Sequence, residues 1–178
     1  MNLVEQWQKG EVAAFETLFI RYKDMVLRTA LSMNVDEDEA EDIVQMAFIK
    51  VYQSRGKFEG DEAGFRRWLY RIAMNLCVDI HRKKLTCLHL EEMQEKGFEP
   101  ATEFSYARQE AQDMIWQAMD CLDSKHRSVV VLRYLHGLPY EEIAKTLDIP
   151  LGTVRSRLNT AIRVMRQKLV QEGGTYEV

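Results

Sequence analysis

Apolar residues in this chain recur at intervals of three and four, and almost no stretch alternates with period two. Between Glu11 and Ser32, the positions Ala14, Phe15, Leu18, Phe19, Tyr22, Val26 and Ala30 follow that rhythm, which gathers them on one helix face. A second stripe of Ala40, Ile43, Val44, Ala47, Phe48 and Val51 follows Asp36, a suitable N-cap. The acids after it complement the helix dipole. Further helices are expected over Leu3 to Gln8, Phe65 to Lys84, Ala111 to Leu122 and Lys125 to Leu135, and two more are joined at "DIP", residues 148–150. Three prolines and nine glycines in 178 residues leave long uninterrupted segments. The expected fold class is all-α.

The pattern divides the chain into two small helical domains, 1–86 and 109–178, joined by a flexible acidic linker, 87–108. From Leu85 to Arg108 no period is sustained, and Gly97 and Pro100 interrupt the run. No apolar run approaches the roughly 18–20 residues that a spanning helix needs. Glu5 and Glu11 stand where a secretory signal would be basic and then apolar. No direct membrane insertion is expected, and the expected compartment is the cytoplasm. An odd count of three cysteines (Cys77, Cys87, Cys121) without framework spacing argues against a disulfide scaffold.

A formal charge of −4 hides strong local signs. "DEDEAED" at 36–42 holds six acids and no base, and residues 66–84 hold six bases against Asp79. Residues 87–123 carry nine acids against Lys96 and Arg108, and residues 145–168 carry six bases against Asp148. Any one such run can be a solvated face. Two basic segments separated by an acidic one suggest two surfaces for a polyanion.

The second basic segment has further signs of nucleic-acid binding. "LPYEEIAKTLDIPLGTVRSRL" reads as a helix-turn-helix: Pro139 opens the first helix, Ala144 is small where helices cross, Asp148 and Ile149 make the turn, and Thr153 is an expected N-cap. On the second helix Val154, Leu158, Ala161, Ile162, Met165 and Leu169 gather in one stripe. Arg155, Ser156, Asn159, Thr160, Arg163 and Gln167 fall opposite, a set able to read base edges and hold phosphates. The plain alternative is an amphipathic helix with a soluble side.

In the first domain Phe65, Leu69, Ile72, Leu76 and Ile80 form the expected buried stripe, with Arg67, Tyr70, Arg71, Met74 and His81 opposite and Trp68 and Asn75 at the flank. Aromatics beside arginines, next to a glycine-rich loop carrying Phe58, suit unstacked single-stranded bases, although Phe65 and Trp68 also suit a core. The helix after Asp36 has an acidic end that repels DNA and is better read as a protein-docking surface, with Asp42, Gln45 and Lys50 outward. Cys77, His81, Cys87 and His89 could hold zinc or sense redox state, but their spacing matches no standard finger. No Ser/His/Asp triad, phosphate loop or HExxH motif occurs, so neither an enzyme activity nor a cofactor is expected.

Taken together, "KGEVAAFETLFIRY", "EAEDIVQMAFIKVY", "FRRWLYRIAMNLCVDIHRKK" and "LDSKHRSVVVLRYLHGLPYEEIAKTLDIPLGTVRSRL" resemble, in order, the motifs of an extracytoplasmic-function (ECF) sigma factor of the sigma-70 family. The resemblance implies two helical domains, regions 2 and 4, and a transcription initiation factor acting through RNA polymerase core. Implied partners are the β′ clamp helices, the β flap, promoter DNA and an anti-sigma factor. Implied core-binding residues are Asp38, Asp42, Gln45, Phe48 and Lys50. Minus-ten contacts would come from Phe58, Phe65, Arg67, Trp68, Arg71 and Asn75, and minus-thirty-five contacts from Thr153, Arg155, Ser156, Arg157, Asn159, Thr160 and Arg163. Three positions depart from the family pattern. Met46 stands where glutamate is usual, and Thr160 where an arginine would hold phosphate. Asp148 stands where many such turns have glycine, but aspartate tolerates a left-handed backbone better than most residues. The alternative reading is a dimeric helix-turn-helix regulator that needs no polymerase.

Overall fold

The computed structural model describes residues 2–91 and 110–171, with side chains for 2–84 and 115–170. Among the described residues all regular structure is helical, as the periodicity predicts. Helices α1 (Leu3–Gln8), α2 (Val12–Ser32), α3 (Glu37–Gln53) and α4 (Glu62–Glu91) build a first compact unit. Helices α5 (Glu110–Asp120), α6 (Ser124–Val130), α7 (Tyr140–Leu147) and α8 (Leu151–Gln171) build a second.

Six residues are too few for a helix to persist on its own, so α1 depends on its cap and its packing. Asn2 and Glu5 form a reciprocal capping box, and Val4 and Trp7 are buried. Gly10, at φ +97°, then turns the chain into α2. Helix α2 buries Ala14, Leu18, Tyr22, Val26 and Ala30. Helix α3 buries Ala40, Ile43, Ala47, Phe48 and Val51 against it. Asp36 is the N-cap of α3, accepting the Glu39 amide at 2.9 Å, and Lys84 from α4 reaches both Asp36 and Glu39 at 3.4 and 2.6 Å.

Helix α4 departs from the expected pattern twice. It buries Tyr70 and Met74, expected on the solvent side, along with Phe65, Leu69, Ile72, Ala73, Leu76 and Cys77. That arc covers more than half the helix circumference, so neighbours enclose α4 on more than one side. Its backbone also stays helical through Glu91, inside the expected linker. "LTCLHLE" contains neither glycine nor proline to end it. Residues 92–109 lie outside the described residues.

In the second unit, Asp123 caps α6 through the His126 amide at 2.8 Å, and the buried Arg127 donates to the Met119 carbonyl (3.0 Å) and Asp120 (3.1 Å). Helix α6 runs on into a π-helical turn, Val131–Leu135. Arg133 then donates to the Leu138 carbonyl at 3.1 Å and lies 5.2 Å over the Tyr140 ring. Ala118, Met119, Val129, Val130, Leu132, Leu138, Ile143, Val154, Leu158 and Ala161 form the core of this unit.

Partial burial works against ionisation of Asp36, but the Glu39 amide and the Lys84 ammonium outweigh it and hold the carboxyl below its usual 3.8. A depressed folded pKa contributes stability that is complete above the unfolded value and is lost as pH falls through the folded one. In a Trp116→Phe background only Trp7 and Trp68 of the three tryptophans report, both from the first unit. There Asp36→Ala is expected to lower stability by about 1 kcal/mol at pH 7. The difference from the parent should shrink as pH falls below 3.8, measured by urea denaturation followed by tryptophan fluorescence.

Candidate nucleic-acid interface

Three surfaces stand out, two in the first unit and one in the second. On α4 the residues Arg67 and Trp68, half-buried, and Arg71, Asn75, Val78 and Arg82, exposed, fall along one line of the helix. At the N-terminal end of that line, the connection from α3 passes a 3₁₀ turn, Arg55–Lys57, and brings Phe58 back over α4. The Phe58 and Trp68 ring centroids are 5.0 Å apart with planes inclined at 33°. They form one wall of a cleft of about 540 Å³, lined also by Ser54, Lys57, Glu59, Gly64 and Arg67. A half-exposed aromatic pair flanked by cationic groups gives a base a face to stack on and a place for its phosphate.

This wall is held from behind. Phe65 has no exposure, and with Trp7 it packs under Phe58 and Trp68 at centroid distances of 5.4–6.3 Å. Asp61 caps α4 by accepting the Gly64 amide at 2.8 Å. Glu62 pairs with Arg21 and accepts the Tyr22 hydroxyl at 2.9 Å. Those two bonds hold the Glu62 carboxyl below its ordinary range. Burial first, then the Glu62 bond, pushes the Tyr22 phenol up to about 12. Of the residues expected at the single-strand surface, Phe58, Arg67, Trp68, Arg71 and Asn75 are placed together. Phe65 is corrected to a core residue.

The second surface is the outer face of α3. Asp38, Asp42, Gln45 and Lys50 are exposed there as expected. Phe48 is corrected to the core: it is buried against Phe19 and Phe15, at 4.8 and 6.3 Å. The periodic reading missed Ile49 and Tyr52, which are 54% and 55% exposed beside Met46. Ile20 on α2 is 68% exposed, and Phe19 is at the surface too. Apolar groups exposed in this number, with acids among them, mark a protein contact rather than a nucleic-acid one.

The third surface belongs to α7 and α8. Asp148 takes the left-handed conformation expected of the turn, φ 55° and ψ 50°, and the Ile149 amide returns to the Ala144 carbonyl at 3.0 Å. Helix α8 begins at Leu151, so Thr153 lies inside its first turn and is corrected from the N-cap. Its amide already donates to the Pro150 carbonyl at 2.9 Å. Arg155, Ser156, Asn159 and Arg163 are exposed, Arg157 and Thr160 half-exposed, and Val154, Leu158 and Ala161 buried. Further along α8, Ile162, Met165 and Leu169 are only half-covered. With Ile115, Met119, Val130 and Tyr134 they line an apolar groove of about 530 Å³.

Two of the four possible zinc ligands have other tasks. Cys77 is fully buried, and burial pushes its thiol up to about 12, away from the thiolate that a metal requires. A ring nitrogen of His81 is 2.6 Å from the Met33 carbonyl oxygen. Cys87 and His89 lie outside the described side chains.

Comparison with known proteins agrees with this layout. The family profile "Sigma-70 region 2" matches residues 18–85, and "Sigma-70, region 4" matches residues 118–167. The chain is 34% identical to the ECF RNA polymerase sigma-E factor of Escherichia coli K12, over 94% of this chain and 92% of that protein. It is 35% identical to the RNA polymerase sigma-H factor of Pseudomonas aeruginosa, over 96% and 95% of the two chains. The fold is similar to that of CnrH in complex with the cytosolic domain of CnrY (TM-score 0.70, 23% identity, 97% of each chain). It is also similar to that of the sigma factor RpoE of Bartonella quintana in complex with the anti-sigma factor NepR (TM-score 0.69, 23% identity, 90% of this chain and 98% of that one).

The burial pattern separates supporting residues from contact residues in a way that can be measured. Phe65→Ala is expected to cost about 3–5 kcal/mol in urea denaturation. Asn75→Ala, on the exposed line of the same helix, should stay within about 0.5 kcal/mol of the parent.

Proposed function

The chain belongs to the sigma-70 family as an extracytoplasmic-function RNA polymerase sigma factor, and we propose that its three surfaces and the apolar groove on α8 divide one initiation event among four contacts. As a member of that family it is a transcription initiation factor that binds RNA polymerase core and directs it to promoters. The outer face of α3, with Asp38, Asp42, Gln45, Met46, Ile49, Lys50 and Tyr52, takes the β′ clamp helices. The Phe58–Trp68 cleft and the line Arg67, Arg71, Asn75 take the melted non-template strand of the minus-ten element. Arg155, Ser156, Asn159 and Arg163 read the minus-thirty-five duplex, with Thr153, Arg157 and Thr160 at the border of that face. The apolar groove beside them takes the β flap.

One observation carries this reading: a single chain holds a duplex-reading helix, a half-exposed aromatic cleft and an exposed apolar–acidic helix face. The duplex reader alone would suit an ordinary repressor. An aromatic cleft is useful only where strands have been separated, and the α3 face supplies a contact to the machine that separates them. The charge balance supports the same division. Non-specific DNA affinity is mainly electrostatic, so a net −4 weakens indiscriminate binding by the free factor. We further propose that the factor acts in the cytoplasm without enzymatic activity of its own, and that an anti-sigma protein holds it until an envelope or other stress signal arrives. The Bartonella quintana fold neighbour was captured with such a partner.

The test is reconstitution with core polymerase and a promoter library, reading run-off transcripts. Specific transcripts with core enzyme are expected. Their absence, together with a palindromic footprint by the protein alone, would contradict the reading. Within that assay Asn159→Ala should relax base preference at one upstream position, a loss of about 1–3 kcal/mol. Ile49→Glu should weaken the affinity for core polymerase by on the order of 2 kcal/mol in a fluorescence competition assay while leaving the thermal unfolding midpoint unchanged.

A further inference from the structure

We infer that Gln8, on the short helix α1 ahead of both family-matched segments, is a positioning residue for capture of the unpaired promoter base. The inference rests on the reading of the Phe58–Trp68 cleft given above. The Gln8 Nε2 amide donates to the backbone carbonyl of Phe58 at 2.7 Å, across fifty residues of sequence and in a part-buried setting. Phe58 is in extended conformation, φ −78° and ψ 129°, just past the 3₁₀ turn; its amide still returns to the Ser54 carbonyl at 3.1 Å, but its own carbonyl faces away from the turn. Gln8 fixes that carbonyl side. Trp7, one residue earlier, packs its ring against Phe58, Phe65 and Trp68 at 5.8, 5.4 and 6.3 Å, so α1 holds both the backbone and the ring of Phe58.

The rest of the loop is held at points on either side. The Arg55 guanidinium lies over Gly10, where a Cβ would come within 3.0 Å of it, so the 3₁₀ turn is seated on the turn between α1 and α2. Beyond the cleft, Glu62 takes Arg21 and Tyr22, and Asp61 takes the Gly64 amide. Between these anchors stand Glu59, which is exposed, and Gly60 at φ +153°. A flipped base must offset its lost stacking and pairing with contacts in the cleft. A wall that had to be ordered at that moment would give back much of the gain. Gln8 keeps the wall ordered beforehand. It does so without touching DNA, as a donor to the residue that does.

The test uses holoenzyme reconstituted from core polymerase and full-length protein. The probe is a fork-junction oligonucleotide bearing the non-template strand of a promoter recovered with the wild-type factor. Each unpaired base is replaced in turn by an abasic site, and the affinity ratio between intact and abasic strands is read. For the wild type, one position should show a ratio of about tenfold or more. Gln8→Glu, which is isosteric but has lost the donor, and Gln8→Met, of similar length and uncharged, should lower that ratio by about fivefold. Their affinity for the abasic strand should stay within about twofold, and in a Trp116→Phe background of the free factor the near-ultraviolet spectra of Trp7 and Trp68 should report an intact fold. An unchanged ratio in both variants overturns the inference, as does an equal loss on intact and abasic strands, which would make Gln8 a purely structural residue. A wild-type factor that shows no base-dependent position overturns the cleft reading itself and the inference with it, and that failure is visible in the wild-type arm alone.

Discussion

The cleft on the first unit, and the way its helices meet beneath that cleft, depend on one aromatic cluster. Trp7 from α1, Tyr22 from α2, Phe65 from α4, and the half-exposed pair Phe58 and Trp68 lie in a continuous series of ring contacts at 5.0–6.3 Å. Four segments that are distant in sequence meet there, so the cluster unites the helices and sets the α3–α4 connection at the same time. That connection carries Gly56 and Gly60 and has little intrinsic preference for a single shape. Burying aromatic surface on one side of it supplies what the backbone lacks. The same contacts leave one face of Phe58 and Trp68 at the surface, so core packing and the nucleic-acid site are two sides of a single arrangement.

The second unit solves a related problem within one helix. The left-handed residue Asp148 ends α7 and sets the angle at which α8 leaves it. The N-terminal half of α8 then buries Val154, Leu158 and Ala161 and exposes Arg155, Ser156, Asn159 and Arg163. Its C-terminal half leaves Ile162, Met165 and Leu169 along an apolar groove. A polar face and an apolar groove thus share a rigid rod. On the reading proposed above, a duplex bound at one and a protein bound at the other would be held in fixed relation.

How much of this was legible beforehand depended on whether the determining forces were local. Caps and turns were partly legible: Asp36 before α3 and the left-handed Asp148 follow from side-chain chemistry within a few residues, whereas Thr153 falls inside α8 and not at its N-cap. So was the exposed face of α8, because a helix packed on one side obeys a single stripe. The stripe reading failed on α4, where Tyr70 and Met74 are buried because neighbours cover more than one side. On α3 the stripe held, but Ile49 and Tyr52 fall outside it, apolar yet exposed, and were given no role. Periodicity assigns apolar residues to the interior by default and does not reveal which are reserved for a partner. Phe65 and Phe48 are buried as their stripes indicate, and only the resemblance offered them as contact residues; aromatics near such a surface support it from beneath. The bond from Gln8 to Phe58 was invisible in sequence: it joins positions fifty residues apart, and glutamine carries no local preference that would point to it.

The central claim is that one polypeptide contacts separated strands with α4 and intact duplex with α8, and does so on polymerase. Photo-crosslinking from two positions of the same complex tests it most directly. Benzophenone side chains are placed singly at Asn75 and at Asn159, and the holoenzyme–promoter complex is irradiated. The account predicts that the probe at position 75 marks unpaired non-template bases of the downstream element. The probe at position 159 should mark paired bases of the upstream element, and both signals should require core polymerase. Crosslinks from both positions to symmetry-related duplex half-sites, obtained with the protein alone, would contradict it.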